Sequence, residues 1–411
     1  MQDKNITKST FFQLFEPILS QELWQKIMCS VESTDKYAKK LKTVQLTQLM
    51  INAEMQQYSS LDEISNSLNN AKLAAAVELE SISASQISRR LREMPTETTA
   101  MLHAHVVREL QTKLGLQTLR RSLGPLCLID ASTISLCLSQ YLWADFRKTK
   151  GGVKLHQRIR FDGEPIPDKA IITVARKSDK SQLAGLIAED EDVLNVFDRG
   201  YLDYGQYDDY CLRGIRFVTR LKDNACVEVL QDVEIDEDSV IEEDLIVRLG
   251  KGKLRMQHDL RLVITQDMEG KPVMILTNDF NLMAEEIGEI YRSRWQIELF
   301  FKWIKQHLTI KHFFGKSQAA VVNQLLIALT TYCLLRLIKR LTAYQGTLLD
   351  IQRLLKTCLF EEYTAFVKKL LRQRSSSKGR RKRDSEEVYQ ETVEQAFSSE
   401  WNDLYNSTEI I

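Results

Sequence analysis

Hydrophobic residues recur at helical spacing through the first part of the chain, beginning with Phe11, Phe12, Phe15 and Ile18. Amphipathic stretches around 42–57, 60–69 and 71–79 continue the pattern, so residues 1–121 read as a wholly helical N-terminal region. The run "SISASQISRRLREM" then places small polar residues ahead of Arg89, Arg90 and Arg92. It is similar to the second helix of a helix-turn-helix, whose N-terminal side chains enter a DNA major groove. Arg89 and Arg90 are therefore candidate DNA contacts, although Ser/Arg-rich amphipathic helices are common.

After Gly124 the period changes. "PLCLIDASTISL" is a short apolar run ending in Asp130, introduced by Gly124-Pro125, and reads as a buried strand followed by a polar turn. "VKLHQRIRF" and "DKAIITVA" flank "DGEPIP" as a hairpin, and "SQLAGLI" suits a helix. "DVLNVFDRGY" is another apolar run ending in an acid, Asp198, and "GIRFVTRL" and "KPVMILTN" are further strands. Strands and helices in this order predict a mixed α/β fold over 122–220, resuming over 276–345. Between them, residues 221–275 alternate Val, Ile and Leu with Asp and Glu, as a small antiparallel β insertion would. Residues 346–411 read as a helical C-terminal region whose apolar period is lost in the basic stretch "RQRSSSKGRRKRD".

"IYRSRWQIELFFKWIKQHL", residues 290–308, reads as one helix, apolar around most of its circumference. At about 100° per residue, Tyr291, Arg294, Glu298 and Lys305 fall at roughly 0°, 300°, 340° and 320°. They form one polar stripe on an otherwise buried rod. Unpaired burial of such charges costs several kcal/mol, so each needs a partner. One reading is an internal ion-pair ladder, since Arg294 and Glu298 are spaced i,i+4. The other is a seam facing a site that binds something charged.

Composition narrows the choice. The chain holds 16 glycines and 6 prolines in 411 residues, about 5% against an average of roughly 12%, which favours long helices. With 56 basic and 56 acidic residues the net charge is zero, but the charges are segregated. Ten acids and no Lys or Arg lie between Asp223 and Asp244; nine basic residues and no acid lie between Lys368 and Arg383. The second run predicts a phosphate-binding arm. Seven cysteines without a CxxC pair indicate neither a zinc site nor a disulfide framework and fit a reduced, cytoplasmic compartment. The start "MQDKNITKST" lacks the apolar core of a signal peptide. The most apolar run, 319–338, is interrupted by Asn323, Gln324, Thr330, Thr331 and Arg336 and reads as a core helix rather than a membrane span.

Asp130 and Asp198 at strand ends and Glu298 on the stripe form a candidate constellation. Three carboxylates from separate elements repel one another unless cations lie between them. A pair of Mg²⁺ ions suits them, because hard cations favour carboxylate oxygens and keep positions for water and phosphate. Two such metals activate an attacking oxygen and stabilise the leaving oxygen of a phosphodiester. Tyr291, Arg294 and Lys305 would then line the DNA groove, holding phosphates without reading sequence.

Tyr291, Arg294, Glu298 and Lys305 match the signature Y-(2)-R-(3)-E-(6)-K, and the chain thereby resembles the insertion-sequence-four family of bacterial D-D-E transposases. "LIDASTISL", "NVFDRGY", "FRKTKGGVKLHQRI", "HLTIKHFFGKS" and "FFQLFEPILSQELWQKI" also resemble blocks of these proteins. The resemblance implies an RNase H-like catalytic core interrupted by the β insertion, with Asp130, Asp198 and Glu298 as catalytic metal ligands. Lys154 and Arg199, inside two of these blocks, join the candidate DNA contacts. Further implied are two Mg²⁺ ions with Mn²⁺ able to substitute, and double-stranded DNA as substrate, both inverted-repeat ends and target. A homodimer assembled on the two ends, at work in the bacterial nucleoid, is also implied. Water frees a 3′-hydroxyl, which then attacks a phosphodiester to form a hairpin or join target DNA. One departure bears on the hairpin step. Related transposases use a tryptophan of the insertion to stack a flipped base, whereas no Phe, Tyr or Trp occurs from Val218 to Asp279. A purely hydrolytic nuclease or resolvase of the same fold, and a catalytically silent DNA-binding derivative, are the alternatives.

Overall fold

The computed structural model describes residues 9–114, 125–148, 150–161, 163–236, 239–267 and 270–372. Residues 373–383 of the basic arm lie outside them.

Seven helices come first: α1 (Thr10–Phe15), α2 (Gln21–Asp35), α3 (Thr43–Gln56), α4 (Leu61–Ser67), α5 (Ala71–Val77), α6 (Ala84–Glu93) and α7 (Thr96–Leu114). Short polar residues start most of them. Ser9, Ser20, Ser60, Asn70 and Ser83 each accept a hydrogen bond from a backbone N–H in the first turn, satisfying donors that the helix leaves open.

The chain then builds one sheet. β1 (Leu126–Leu136), β2 (Asp145–Arg147), β3 (Lys150–Phe161) and β4 (Pro165–Val174) precede α8 (Leu183–Leu186), and β5 (Leu194–Phe197), α9 (Tyr204–Leu212) and β6 (Arg216–Arg220) follow. β1 pairs antiparallel with β3 and parallel with β5; β3 pairs with β4, and β5 runs parallel to β6. The resulting order β4-β3-β1-β5-β6, with three antiparallel strands leading into two parallel ones, is the RNase H-like arrangement. Side chains alternate across it. Leu128 joins the core beneath the helical regions, while Ile129 joins a second cluster with Phe197, Tyr207 and Phe217. Because both faces are covered, the strand reads as a continuous apolar run rather than an alternating one.

β7 (Val227–Asp232), β8 (Ile241–Leu249), β9 (Leu260–Gln266) and β10 (Pro272–Thr277) are antiparallel neighbours. They do not form a separate sheet, since β10 pairs with β6 and continues the core. That ladder spans only Ile275↔Arg220, Leu276↔Thr219 and Thr277↔Val218. Side chains reinforce it. Thr277 Oγ1 donates to Phe217 O at 2.7 Å, and Asn278 Nδ2 donates to Ile215 O at 2.8 Å. Asn278 Oδ1 accepts from Phe217 N at 2.9 Å, and Asp279 pairs with Arg216 at 2.6 Å.

Five helices follow: α10 (Ala284–Ser293), α11 (Trp295–His307), α12 (Gln318–Leu341), α13 (Leu348–Cys358) and α14 (Tyr363–Leu371). α12 is long and apolar enough to cross a bilayer, but the qualifying stretch is 94% buried inside the protein, packed against α3, α6, α7 and β4. Its polar residues are matched internally. Asn323 accepts from Thr99 Oγ1 at 2.7 Å and donates to Met94 O at 2.8 Å; Gln324 donates to Thr309 O at 2.6 Å. Thr330 and Thr331 return their hydroxyl protons to carbonyls one turn earlier, at 2.8 and 2.9 Å.

Candidate active site

The expected single helix over 290–308 is two helices that meet at Arg294. The backbone there stays right-handed (φ −53°, ψ −31°), but the hydrogen bonds tighten. Arg294 N donates to Tyr291 O at 3.0 Å and Ile297 N to Arg294 O at 3.1 Å, both three residues back. The tightening corrects one reading: Glu298 is not mid-helix but lies in the first turn of α11. The stripe survives because the chain keeps turning through the junction.

Three elements bring the acids together. Asp130 does not end its strand as expected: β1 continues to Leu136, held by its pairing with β3, so the acid projects from mid-strand; Asp198 follows β5, and Glu298 comes from α11. Arg294 lies among them. One guanidinium nitrogen is 2.7 Å from Glu298 Oε1 and another is 3.5 Å from Asp130 Oδ2. Tyr291 Oη donates to Asp198 Oδ1 at 3.5 Å, and the guanidinium lies 5.8 Å from the Tyr291 ring centre. Lys305 Nζ, further along α11, donates to Ser132 Oγ at 2.6 Å and to Thr133 O at 3.3 Å. Ser132 is two residues beyond Asp130 on β1 and so on the same face.

The electrostatics show a site short of positive charge. Burial pushes the Asp130 carboxyl up to about 7, with Glu298 and Asp198 adding to the rise and Arg294 and the Ala131 N–H opposing it. Burial also raises Glu298, against the pull of Arg294. Burial works against the Arg294 charge, but Tyr291, Glu298, Asp130 and Asp198 outweigh it and hold the guanidinium protonated. Beneath the acids, Tyr201 is 1% exposed and its hydroxyl has no hydrogen-bond partner among the described residues. Burial, then Asp130, Asp179 and Asp198, drive its ionisation far out of reach.

Among the described residues, no three His, Cys, Asp or Glu side chains are gathered closely enough to hold a metal ion. In this arrangement Arg294 supplies the cationic charge between Asp130 and Glu298. The donor chemistry nevertheless fits a hard divalent cation. The available groups are carboxylate oxygens, and the Asp130 carboxyl is raised by burial and then by the neighbouring Glu298 and Asp198.

The other candidates divide. Arg199 and Arg89 are both exposed at the surface. Lys154 is drawn to Asp179 at 3.0 Å and donates to Lys177 O at 3.3 Å. Arg90 departs from the expectation of a DNA contact: it is 5% exposed and donates to Leu41 O at 3.0 Å and Thr34 O at 2.9 Å, with Asp35 as its ion partner. The reason lies in α6 itself, where Arg90 shares the buried face with Ile87 and Leu91. Sequence reasoning passed over Ser132 and Tyr201. The strand period of two places Ser132 beside Asp130, but nothing in "DRGY" announces that its tyrosine turns under the acids.

A model of the family described as "Transposase DDE domain" matches residues 121–334. The chain belongs to that family. The matched residues include β1 with Asp130, Asp198 beyond β5, and the α10–α11 junction. A probable transposase for insertion sequence element IS5377 of Geobacillus stearothermophilus is 31% identical over 260 residues, covering 61% of this chain and 66% of the relative. A putative transposase, y4zB, of Sinorhizobium fredii is 34% identical over 260 residues, covering 61% and 71%. A cryo-EM structure of the piggyBac transposase synaptic complex with hairpin DNA is similar with a TM-score of 0.43 and 9% identity, over 93% of this chain and 89% of that one.

Proposed function

We propose that this member of the family is a cut-and-paste DNA transposase that cleaves the inverted-repeat ends of an insertion sequence and joins them to target DNA. The observation that carries the reading is the convergence of Asp130, Asp198 and Glu298, from three separate elements, around Arg294 and Tyr291. A structural ion pair needs one acid for one cation. Two acids, Asp130 and Glu298, share one guanidinium, and a third, Asp198, has only the Tyr291 hydroxyl, an excess of carboxylate that folding alone does not call for.

Asp130, Asp198 and Glu298 would hold two Mg²⁺ ions, with Mn²⁺ able to substitute. When bound, such a pair activates the attacking oxygen and stabilises charge on the leaving oxygen of a phosphodiester. Lys305, anchored on Ser132 beside Asp130, is positioned to neutralise a phosphate next to the scissile one. Arg294, set between Asp130 and Glu298, would face a DNA phosphate bound beside the acids. Tyr291 holds Asp198 in orientation, and Arg199 and Arg89 contact the duplex backbone. The substrate is double-stranded DNA, bound by a homodimer that pairs two element ends, in the cytoplasm at the nucleoid.

The test uses pre-cut ends with a free 3′-hydroxyl, supercoiled target DNA and Mg²⁺. Joined product supports the transposase. Nicking of the same DNA without any joining would instead make the chain a hydrolytic nuclease.

A further inference from the structure

Beyond the acids, the C-terminal half of α11 leads to a surface with an unusual charge pattern. Several arginines elsewhere on the surface have carboxylate partners. Arg213 pairs with Glu189 at 2.8 Å, Arg255 with Glu228 at 2.7 Å, and Arg176 with Asp145 at 3.0 Å. Where the loop after α11 meets the end of α3 and the outer face of α13, Lys311, Arg353 and Lys356 lie around Gln57 and His307, and none forms an ion pair with an acid among the described residues. They act on one another instead. His307 is lowered by burial and then by Arg353 and Lys356; Lys356 is lowered by burial and Arg353; Lys305 is lowered by burial and Lys311.

A cleft of about 320 Å³ opens in this surface, lined by Gln57, Tyr58 and Ser59 on one side and by Leu308, Thr309, Lys311 and His312 on the other. Lys356 Nζ is held at its rim by Gln57 Oε1 at 2.7 Å. Two acids lie near. Glu63 is occupied by the N–H and hydroxyl of Ser59, at 2.6 and 3.0 Å. Glu54, wholly buried, accepts from Thr309 N at 2.6 Å, and burial lifts its carboxyl to about 8, so at neutral pH it adds little negative charge. Cations left mutually repelling at a surface are stabilised by a polyanion.

We infer that Lys311, Arg353 and Lys356, around this cleft, bind the phosphodiester backbone of the DNA duplex flanking the reacting phosphate. This rests on DNA being the substrate and extends that reading to a region outside the carboxylate centre. α11 sets the spacing. The ten residues from Glu298 to Leu308 advance about 15 Å along the helix. With phosphates about 3.4 Å apart along the axis of one strand, a duplex lying along α11 would meet the cleft roughly four or five base-pair steps from the cleaved bond. Cationic contacts to phosphates supply affinity and register rather than sequence.

The test is a salt titration of full-length protein binding a labelled 40-base-pair duplex of arbitrary sequence, in EDTA so that no chemistry occurs. Lys311→Ala combined with Lys356→Ala should make the slope of log affinity against log salt shallower by about 2, near 0.9 for each phosphate left without its cation. The arginine pair at the same positions should restore it. Lys251→Ala with Lys253→Ala, exposed on the insertion, should leave the slope unchanged. An unchanged slope in the folded Lys311/Lys356 variant, or an equal change in the insertion control, overturns the inference. Should the double variant fail to unfold cooperatively, the exposed Lys311→Gln alone carries the test, with a shift of about 1. Wild-type protein that does not bind duplex at all would defeat the proposed function instead.

Discussion

Arg294 and Glu298 are joined by a 2.7 Å ion pair across the junction of α10 and α11, and the same guanidinium reaches Asp130. Neither partner is sealed off: Glu298 is 32% and Arg294 15% exposed. Arg294→Ala should therefore cost only about 1 kcal/mol of folding stability, nearer to a solvated pair than to a buried one. It should slow cleavage by about 10²-fold or more through poorer phosphate positioning. It should also strengthen Mg²⁺ binding in the absence of DNA, because the acids lose their internal cation. Thermal unfolding with and without Mg²⁺, beside single-turnover cleavage, checks all three. A large drop in melting temperature with normal cleavage by the folded fraction would make the pair purely structural.

The acids themselves should separate chemistry from affinity. Asp130→Asn, Asp198→Asn and Glu298→Gln are each expected to abolish metal-dependent nicking and leave affinity for element ends within a few-fold, since affinity comes mainly from cations on the protein. Nicking assays and binding titrations on the same preparations decide it. A variant that cuts at near wild-type rate removes that residue from the site.

Arg90 and Arg89 are neighbours in sequence with opposite expectations. Arg90→Ala leaves the Leu41 and Thr34 carbonyls without this donor and Asp35 without its cation, and should destabilise the N-terminal helices by about 3 kcal/mol. Arg89→Ala, away from that buried face, should change stability by less than about 0.5 kcal/mol and reduce DNA affinity. Denaturant unfolding and DNA titration of both variants provide the comparison, and equal stability losses would refute it.

Glu54 predicts a pH dependence. Its folded value near 8 stands above the unfolded value of about 4.3. A carboxyl raised in this way helps the folded state fully below the unfolded value, and that help is lost as pH rises from about 4 through 8. Glu54→Gln keeps an acceptor for Thr309 N and removes the titration. The variant should match wild type near pH 4 and exceed it by a few kcal/mol at about pH 8.5. Parallel unfolding curves across that range would show that Glu54 finds a cation in solution.

The elements that sequence revealed well were those whose local pattern and tertiary role agree. β1 is an apolar run because both of its faces are covered, and Asp130 stands out against it. The stripe on α10 and α11 is legible because charges on so apolar a rod demand a reason. Three features were hidden. The break at Arg294 leaves helical dihedrals and changes only hydrogen-bond spacing, which no residue type encodes. Arg90 carries the same side chain as Arg89, and only the packing of α6 against the segment around Thr34 and Leu41 turns it inward. The joining of the insertion to the core sheet depends on β6 meeting β10 across more than fifty residues of chain, a pairing that local alternation cannot announce.

That joining has a structural consequence. Ladder and side-chain bonds from Thr277, Asn278 and Asp279 fasten β10 to β6, and β6 lies directly beside β5, whose end carries Asp198. The four strands from β7 to β10 are thus built onto the same sheet as the acids, their attachment one strand from the end that carries Asp198.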